Sequence, residues 1–345
     1  MTLWTIGNST PDFWVDAADR DARTLISDGV SELQDKSGND FHAGQGTAAK
    51  RPTIAEEFAN GLDVLDFNGS SHVLQTAPNI LRFEELTLFA VYLTHNRAAR
   101  QGVLTKRHPS DSGFPHFEYR YGIRETTAGT DGKTDLHWYS TGDADGLIAT
   151  TPVESDVLVM ELMTIQSSQV ERFQNGAADG SKSTSVANTT TDKDSGNVLY
   201  LGASRHDVRF LHGKFAEAAI WGHALDSDTI SKVFGYAAHK WGIAASLPAE
   251  HPYKSAAPSL FSISGTITDE HGNPAQRTVY AMSRQTDGSA PVLLGHGESD
   301  PTTGAYELIL PTDDEVTRIV LAEDQGEPGP NDPVLPDLVD RVIPG

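Results

Sequence analysis

Apolar positions in this chain come in short runs separated by Gly, Ser, Asn, Asp and Pro, a spacing of strands and turns rather than of long helices. Residues 86–94, LTLFAVYLT, are nearly continuous in apolarity and rich in β-branched and aromatic side chains, which predicts a central strand covered on both faces. SDVLVMELMTI (155–165) reads the same way. In HFEYRYGIR (116–124), Phe117, Tyr119, Tyr121 and Ile123 alternate with His116, Glu118 and Arg120, so one face is aromatic and the other charged. DLHWYS (135–140) repeats that pattern, with Leu136 and Trp138 against His137 and Tyr139. The two segments are read as neighbours in one sheet. SQVERFQNGAADG predicts a strand entering a hairpin at Asn175-Gly176, a pair that supplies the positive φ angles of a tight turn. NVLYLGAS and GKFAEAAIWG follow as further strands.

One segment breaks the β rhythm. In DSDTISKVFGYAAHKWGI, the apolar residues Ile230, Val233, Phe234, Ala237 and Trp241 recur at helical spacing, with Asp226 or Ser227 as the start signal and Gly242 as the stop. Residues 248–258 are rich in Pro, Ala and Ser without periodicity and read as a linker between a domain at 1–247 and a second at 259–345. Strand and turn signals resume from FSISGTITDEHGNPA onward, predicting a small β-sandwich.

Composition narrows the function classes. With 26 basic against 48 acidic residues, the net charge is -22, so nucleic acid and anionic membrane are repelled over most of the surface. Residues 258–345 alone hold 15 acidic and 4 basic residues, as befits a solvent-facing module. The chain has no cysteine, which removes disulfides, thiol nucleophiles and Cys-type zinc sites. The opening MTLWTIGNSTPDFW shows no secretory leader pattern and no apolar run is long enough to span a bilayer. The expectation is a protein neither exported by a signal peptide nor inserted in a membrane.

The stretch DFWVDAADRDARTLISDGVSELQDKSGNDFHAGQGTAAKRPT resembles the opening of LamG-like, concanavalin A-like domains, with its Asp-x-Ser-Gly-Asn turn and following His-Ala pair. LDFNGSSHVLQT, LTLFAVYL, the turn QNG, LGASRHDVRFLHGKFAEAAIWGHAL and FGYAAHKWGI continue the resemblance, in order, over about residues 10–248. Leu33 departs from it, standing where an aromatic residue is common. ISGTITDEHGNPA with SDPTTGAYELILP is similar to carboxypeptidase-regulatory-like, immunoglobulin-type sandwiches. The resemblance implies an all-β protein: a concanavalin A-like jelly-roll sandwich with one C-terminal helix, then a small immunoglobulin-like sandwich. The combination resembles virion proteins of tailed phages, although both modules also occur in bacterial surface proteins. It implies a non-enzymatic component on a virion surface, in the head or a tail fibre, assembled in the host cytoplasm. Its partners would be capsid or tail proteins and a host-surface glycan, and its state a homo-oligomer, with a trimer as the guess. The alternatives are a bacterial glycan-binding module and a decoration protein without ligand.

Candidate chemistry is of three kinds. Asp35 and Asn39 in LQDKSGNDFHAGQ, with Asp192 and Asp194 in DKDSGN, carry oxygens suited to calcium; relatives of this sandwich often hold one such ion at the sheet rim. The same Ser-Gly-Asn turn is equally what a structural corner needs. For catalysis, Glu154 with Asp156 and the lone Glu217 are the acids near strands. No Glu-x-Asp-x-Glu run, nucleophile elbow or His-Glu-x-x-His helix is present, so no enzyme is expected. A sugar-binding face is the third. His116, Glu118, Arg120, His137 and Tyr139 would share one sheet face, with Arg205, His206 and Asp207 on a nearby loop. Alternating charge is also what any solvated strand face shows.

Overall fold

The computed structural model describes residues 3–81, 83–107, 117–123, 132–139, 144–166, 168–183, 196–204, 208–268, 271–283, 293–310, 318–324 and 337–342. They form two compact units: Thr5–Ala257, and Pro258–Gly345 with Met1–Trp4.

The first unit opens with β1 (Phe13–Asp16), β2 (Arg23–Ile26), β3 (Gly29–Leu33), β4 (Ala43–Gly44), β5 (Thr53–Ala59) and β6 (Leu62–Asn68). Next come β7 (Leu74–Gln75), β8 (Leu86–Thr94), β9 (Gln101–Arg107), β10 (Phe117–Ile123), β11 (Thr134–Tyr139) and β12 (Ala144–Ile148). It closes with β13 (Val159–Ile165), β14 (Gln169–Gln174), β15 (Ala177–Ser183), β16 (Val198–Leu201), β17 (His212–Trp221) and the helix α1 (Ser227–Lys240). Among the described residues these strands make two antiparallel sheets. One runs β15-β14-β13-β8-β17-β6-β5 with β1 added on β17; the other, of nine strands, runs β12-β11-β10-β9-β16-β7-β4-β3-β2. The two apolar runs seen in the sequence, β8 and β13, lie side by side in the first sheet, and every residue of both is buried. The Asn175-Gly176 turn joins β14 to β15 with φ of 50° and 82°, and β10 pairs with β11.

Leu33, Leu74, Leu104, Leu136, Leu199 and Leu201 of the nine-stranded sheet meet Leu65, Leu88, Tyr92, Met163, Phe215 and Ile220 of the other in one core. Two polar ties cross that layer or close its edge. Arg172 on β14 is fully buried; its Nε donates to Asp179 at 2.9 Å, it pairs with Glu161, and its Nη1 donates to the carbonyl of Thr134 on the opposite sheet at 3.3 Å. Glu161 also accepts from Thr134 Oγ1 at 2.7 Å and Tyr92 OH at 2.6 Å. At the other side, Asp63 of β6 receives Arg23 from β2, Arg20 at 3.1 Å and the backbone N–H of Glu57 at 3.0 Å.

Asp226 caps α1 by accepting from the N–H of Thr229 at 2.8 Å, and Gly242 leaves the helix at φ 71°. Asn60, at the β5–β6 turn, donates to the carbonyl of Lys240 in the last turn at 3.0 Å. The helix covers the outer side of the first sheet, where Phe234 meets Phe89 edge-on at 6.1 Å between ring centroids. Its anchor is Glu217, which has no solvent exposure. That carboxylate accepts from Trp14 Nε1 (2.9 Å), Trp241 Nε1 (2.9 Å) and Tyr236 OH (3.0 Å), and pairs with Lys240 Nζ at 3.0 Å. Burial pushes its pKa up against the pull of Lys240.

The stretch read as a linker, 248–258, is packed on the first unit as far as Ala257. Lys254 Nζ donates to the carbonyls of Ala245 (2.8 Å) and Leu247 (2.6 Å), and His239 Nε2 donates to that of Tyr253 at 2.9 Å. Side chains thus satisfy backbone oxygens that no regular element would pair. The second unit has β18 (Phe261–Thr266) paired with β21 (Ala305–Leu310), and a four-stranded sheet. The latter comprises β19 (Arg277–Ser283), β20 (Leu293–Glu298), β22 (Arg318–Asp324) and β23 (Asp337–Val342), in the order β20-β19-β22-β23. Its sequence signals have local causes. Gly265 lies under Tyr306, where a Cβ would come within 2.7 Å of the phenol oxygen, and Asp300 accepts from the N–H groups of Thr302 and Thr303, both at 2.8 Å.

Glu217→Ala strands two buried indole N–H groups and an ammonium, so urea unfolding followed by Trp fluorescence gives a loss of about 3–5 kcal/mol; a loss below about 1 kcal/mol contradicts the anchor. Burial of Asp63 would raise its pKa, but Arg23, the Glu57 N–H and Arg20 hold it down at about 2. Because the folded value lies below the unfolded one, its stabilisation is complete above the ordinary carboxylate pKa of about 4 and is lost as pH falls toward about 2. Thermal unfolding across pH 2–5 is expected to show a shallower acid slope in Asp63→Asn than in the parent; equal slopes contradict it.

Candidate functional site

Strand register lines up one residue per strand across six strands of the nine-stranded sheet. Gln75 pairs with Tyr200, Tyr200 with Thr105, Thr105 with Arg120, Arg120 with His137, and His137 with Gly146. The neighbouring positions Leu74, Leu201, Leu104 and Leu136 lie in the core, so the row belongs to the face turned away from it. At the usual strand spacing it is ~24 Å long. His137 Nε2 donates to Asp135 at 3.0 Å, with Arg100 Nη2 3.8 Å from the same carboxylate. The His137 ring lies on Gly146, where a Cβ would stand 3.0 Å from two ring atoms. Thr105 is fully buried, and its hydroxyl has no hydrogen-bond partner among the described residues.

At the Gln75 end the face changes character. Val73, Val198, Tyr200 and Ala203, with Phe210 against them, form an apolar cluster separate from the core. Beside it opens a cavity of about 310 Å³ lined by Gly44, Gln45, Gly46, Thr47, Lys50, Val73 and Gln75. Its wall is held by Arg51, whose guanidinium donates to the carbonyls of Gln45 (2.9 Å), Gly46 (2.9 Å) and Ile26 (3.4 Å). Gln45 braces the same wall, its Nε2 donating to the carbonyl of Val73 at 3.1 Å and its Oε1 accepting from the N–H of Thr47 at 2.9 Å. The polar groups that line it suit a ligand with several hydroxyls.

The sequence pointed to this face but not to the cavity. His137 and the backbone of Arg120 fall in the row; Glu118 and Tyr139 belong to β10 and β11. His116, Arg205, His206 and Asp207 lie outside the described residues. Residues 44–50 carry no strand or ligand motif. Their one sequence signal is a stretch free of acid from Phe41 to Ala55 in an otherwise acidic chain.

The other candidates are occupied by the fold itself. Asp35 is buried, and its carboxylate accepts from Trp14 N (2.9 Å), Ser37 N (3.0 Å), Ser37 Oγ (2.8 Å) and Phe41 N (3.1 Å). Asn39 donates through Nδ2 to the carbonyl of Asp12 at 3.0 Å. This donor set closes a turn. Asp192 and Asp194 lie outside the described residues, and among those described no three His, Asp or Glu side chains group as a metal site. Glu154 pairs with Arg97 at 2.7 Å, Asp156 with His95, and Glu217 is sealed under α1.

The two-sheet sandwich is matched at the level of families. Residues 68–231 fit the family model of the Concanavalin A-like lectin/glucanases superfamily. The fold is concanavalin A-like. No curated relative matches the chain. Among solved structures, the binding domain of Paraclostridial Mosquitocidal Protein 1 is 12% identical, with 98% of this chain and 74% of that one covered and a TM-score of 0.48. Domain 4 of AbnA, a GH43 extracellular arabinanase from Geobacillus stearothermophilus, in complex with arabinotriose, is 12% identical over 65% of this chain and 97% of that one, at a TM-score of 0.47. The Ruminococcus gnavus IT-sialidase CBM40 bound to alpha2,3 sialyllactose is 16% identical over 43% and 81%, at 0.37.

The state of Asp35 gives a direct check. Asp35→Ala leaves three backbone N–H groups of a buried turn without an acceptor, so a loss of about 2–3 kcal/mol in chemical unfolding is expected, the same with and without added calcium. A calcium-dependent rise in the parent's melting temperature that the substitution abolishes would show a metal loop instead.

Proposed function

We propose that this protein is a non-catalytic glycan-binding component of a virion surface, and that its sugar site is the outer face of the nine-stranded sheet at the Gln75 end. The observation that carries the reading is a cavity of about 310 Å³ there, onto which Thr47, Lys50 and Gln75 bring polar side chains without side-chain partners among the described residues. A sugar offers such a site what it can bind: hydroxyls for Thr47, Gln75 and the backbone of the Gly-rich wall. The concanavalin A-like sandwich supports it as a scaffold on which such faces are built, although a fold alone decides no function.

The acids speak for binding without cleavage. Glycoside hydrolysis needs two carboxylates flanking the bond; Glu217 is sealed under donors, and Glu154 and Asp156 are committed to Arg97 and His95. The place on a tailed-phage particle rests on the pairing of the two sequence modules, and an acidic second module suits exposure to solvent.

A glycan array probed with the full chain is expected to give a small set of positives and no released sugar. Gln75→Leu, whose side chain is exposed and makes no side-chain hydrogen bond among the described residues, should weaken the best positive about tenfold, or about 1.4 kcal/mol, with an unchanged melting temperature. Cleavage of any array glycan that Glu217→Gln abolishes would overturn the non-catalytic reading. A genome neighbourhood without capsid or tail genes would remove the virion assignment while leaving the sugar site standing.

A further inference from the structure

The cavity beside Gln75 is a local exception to the charge of the molecule. In a chain with 22 more acidic than basic residues, cations of the first unit are repeatedly drawn into ion pairs: Arg20 and Arg23 on Asp63, Arg172 on Glu161 and Asp179, Lys240 on Asp16 and Glu217. Lys50 is different. It lines the cavity, is half-buried, and makes no ion pair and no side-chain hydrogen bond among the described residues. Among the described residues Arg51, next in the chain, is bonded to carbonyl oxygens and to no carboxylate. Among the described residues no acid lines the cavity, and Glu32, opposite Gly44 in the strand register, is the acid that stands next to it on this face. The Thr47 hydroxyl and the Gln75 amide, on the same wall, likewise have no side-chain partner among the described residues.

From this we infer that the glycan bound here is an acidic one, and that the Lys50 cavity receives its carboxylate or sulfate group. This rests on the sugar-site reading above and adds the chemical class of the ligand. Three donors without partners, one of them an ammonium, form a set that an anionic oxygen cluster satisfies and a neutral hydroxyl satisfies only in part. The global negative charge does not forbid approach. At physiological salt the Debye length is about 8 Å, so distant surface acids are screened while a contact inside a partly enclosed cavity is not. Lys50 does not touch the core, and its removal costs the fold no ion pair.

Binding of the full chain to four polysaccharides tests this: a polyuronate, its methyl ester, a sulfated galactan and its desulfated parent, each measured at physiological salt. One or both acidic polymers are expected to bind at least tenfold more tightly than their neutral counterparts, and which of them does so tells carboxylate from sulfate. Lys50→Met is expected to remove that preference and Lys50→Arg to keep it, with the melting temperature of both unchanged. Equal affinity for acidic and neutral partners, or full retention of the preference in Lys50→Met, overturns the acidic-ligand inference and leaves a neutral sugar site. Absence of binding to these polymers and to every glycan of the array overturns the sugar site itself.

Discussion

A carboxylate cannot be taken out of water alone, and that constraint organises the first unit. Seven acids are buried there among the described residues: Asp16, Asp35, Asp63, Asp135, Glu161, Asp179 and Glu217. Each is met by donors from distant strands or turns. Arg23 closes on Asp63 from the edge strand of the opposite sheet, Arg172 gathers Glu161 and Asp179 inside the sandwich, and α1 delivers Tyr236, Lys240 and Trp241 to Glu217. Such pairs add little net stability compared with apolar packing, but each is costly to break. They therefore fix which strands and which helix face may meet.

The same constraint gives the outer face its meaning. Among the described residues Lys50 lines a cavity with no carboxylate on its wall, unlike the cations drawn onto Asp63, Glu161, Asp179 and Glu217. Thr47 and Gln75 supply polar groups at the same spot, and the glycines at 44 and 46 let the wall be made of backbone. Geometry, polarity and charge there converge on one kind of ligand.

Much of the fold was legible in the sequence because strand period and burial are local signals. LTLFAVYLT and VMELMTI announce strands with no free face, Asn175-Gly176 announces its hairpin, and Asp226 with Gly242 brackets the helix. Register was not legible: nothing local says that Thr105, Tyr200 and Gln75 fall opposite one another, since they come from strands far apart in the chain. That is why His137 and Arg120 could be proposed from alternation while Lys50, on a short 3-10 turn between β4 and β5, could not. The packing of residues 248–257 was equally hidden, because Pro, Ala and Ser look like a tether until Lys254 and His239 find its carbonyls.

A ligand face outside the sandwich and beside Gln75 is the central claim. A crystal structure of the chain with its best-binding oligosaccharide tests it without intermediaries. The expected density is a sugar ring in the cavity with its polar edge on Thr47, Lys50 and Gln75. A sugar bound on the helix side of the sandwich or on the second unit, with this cavity holding only water, would contradict it.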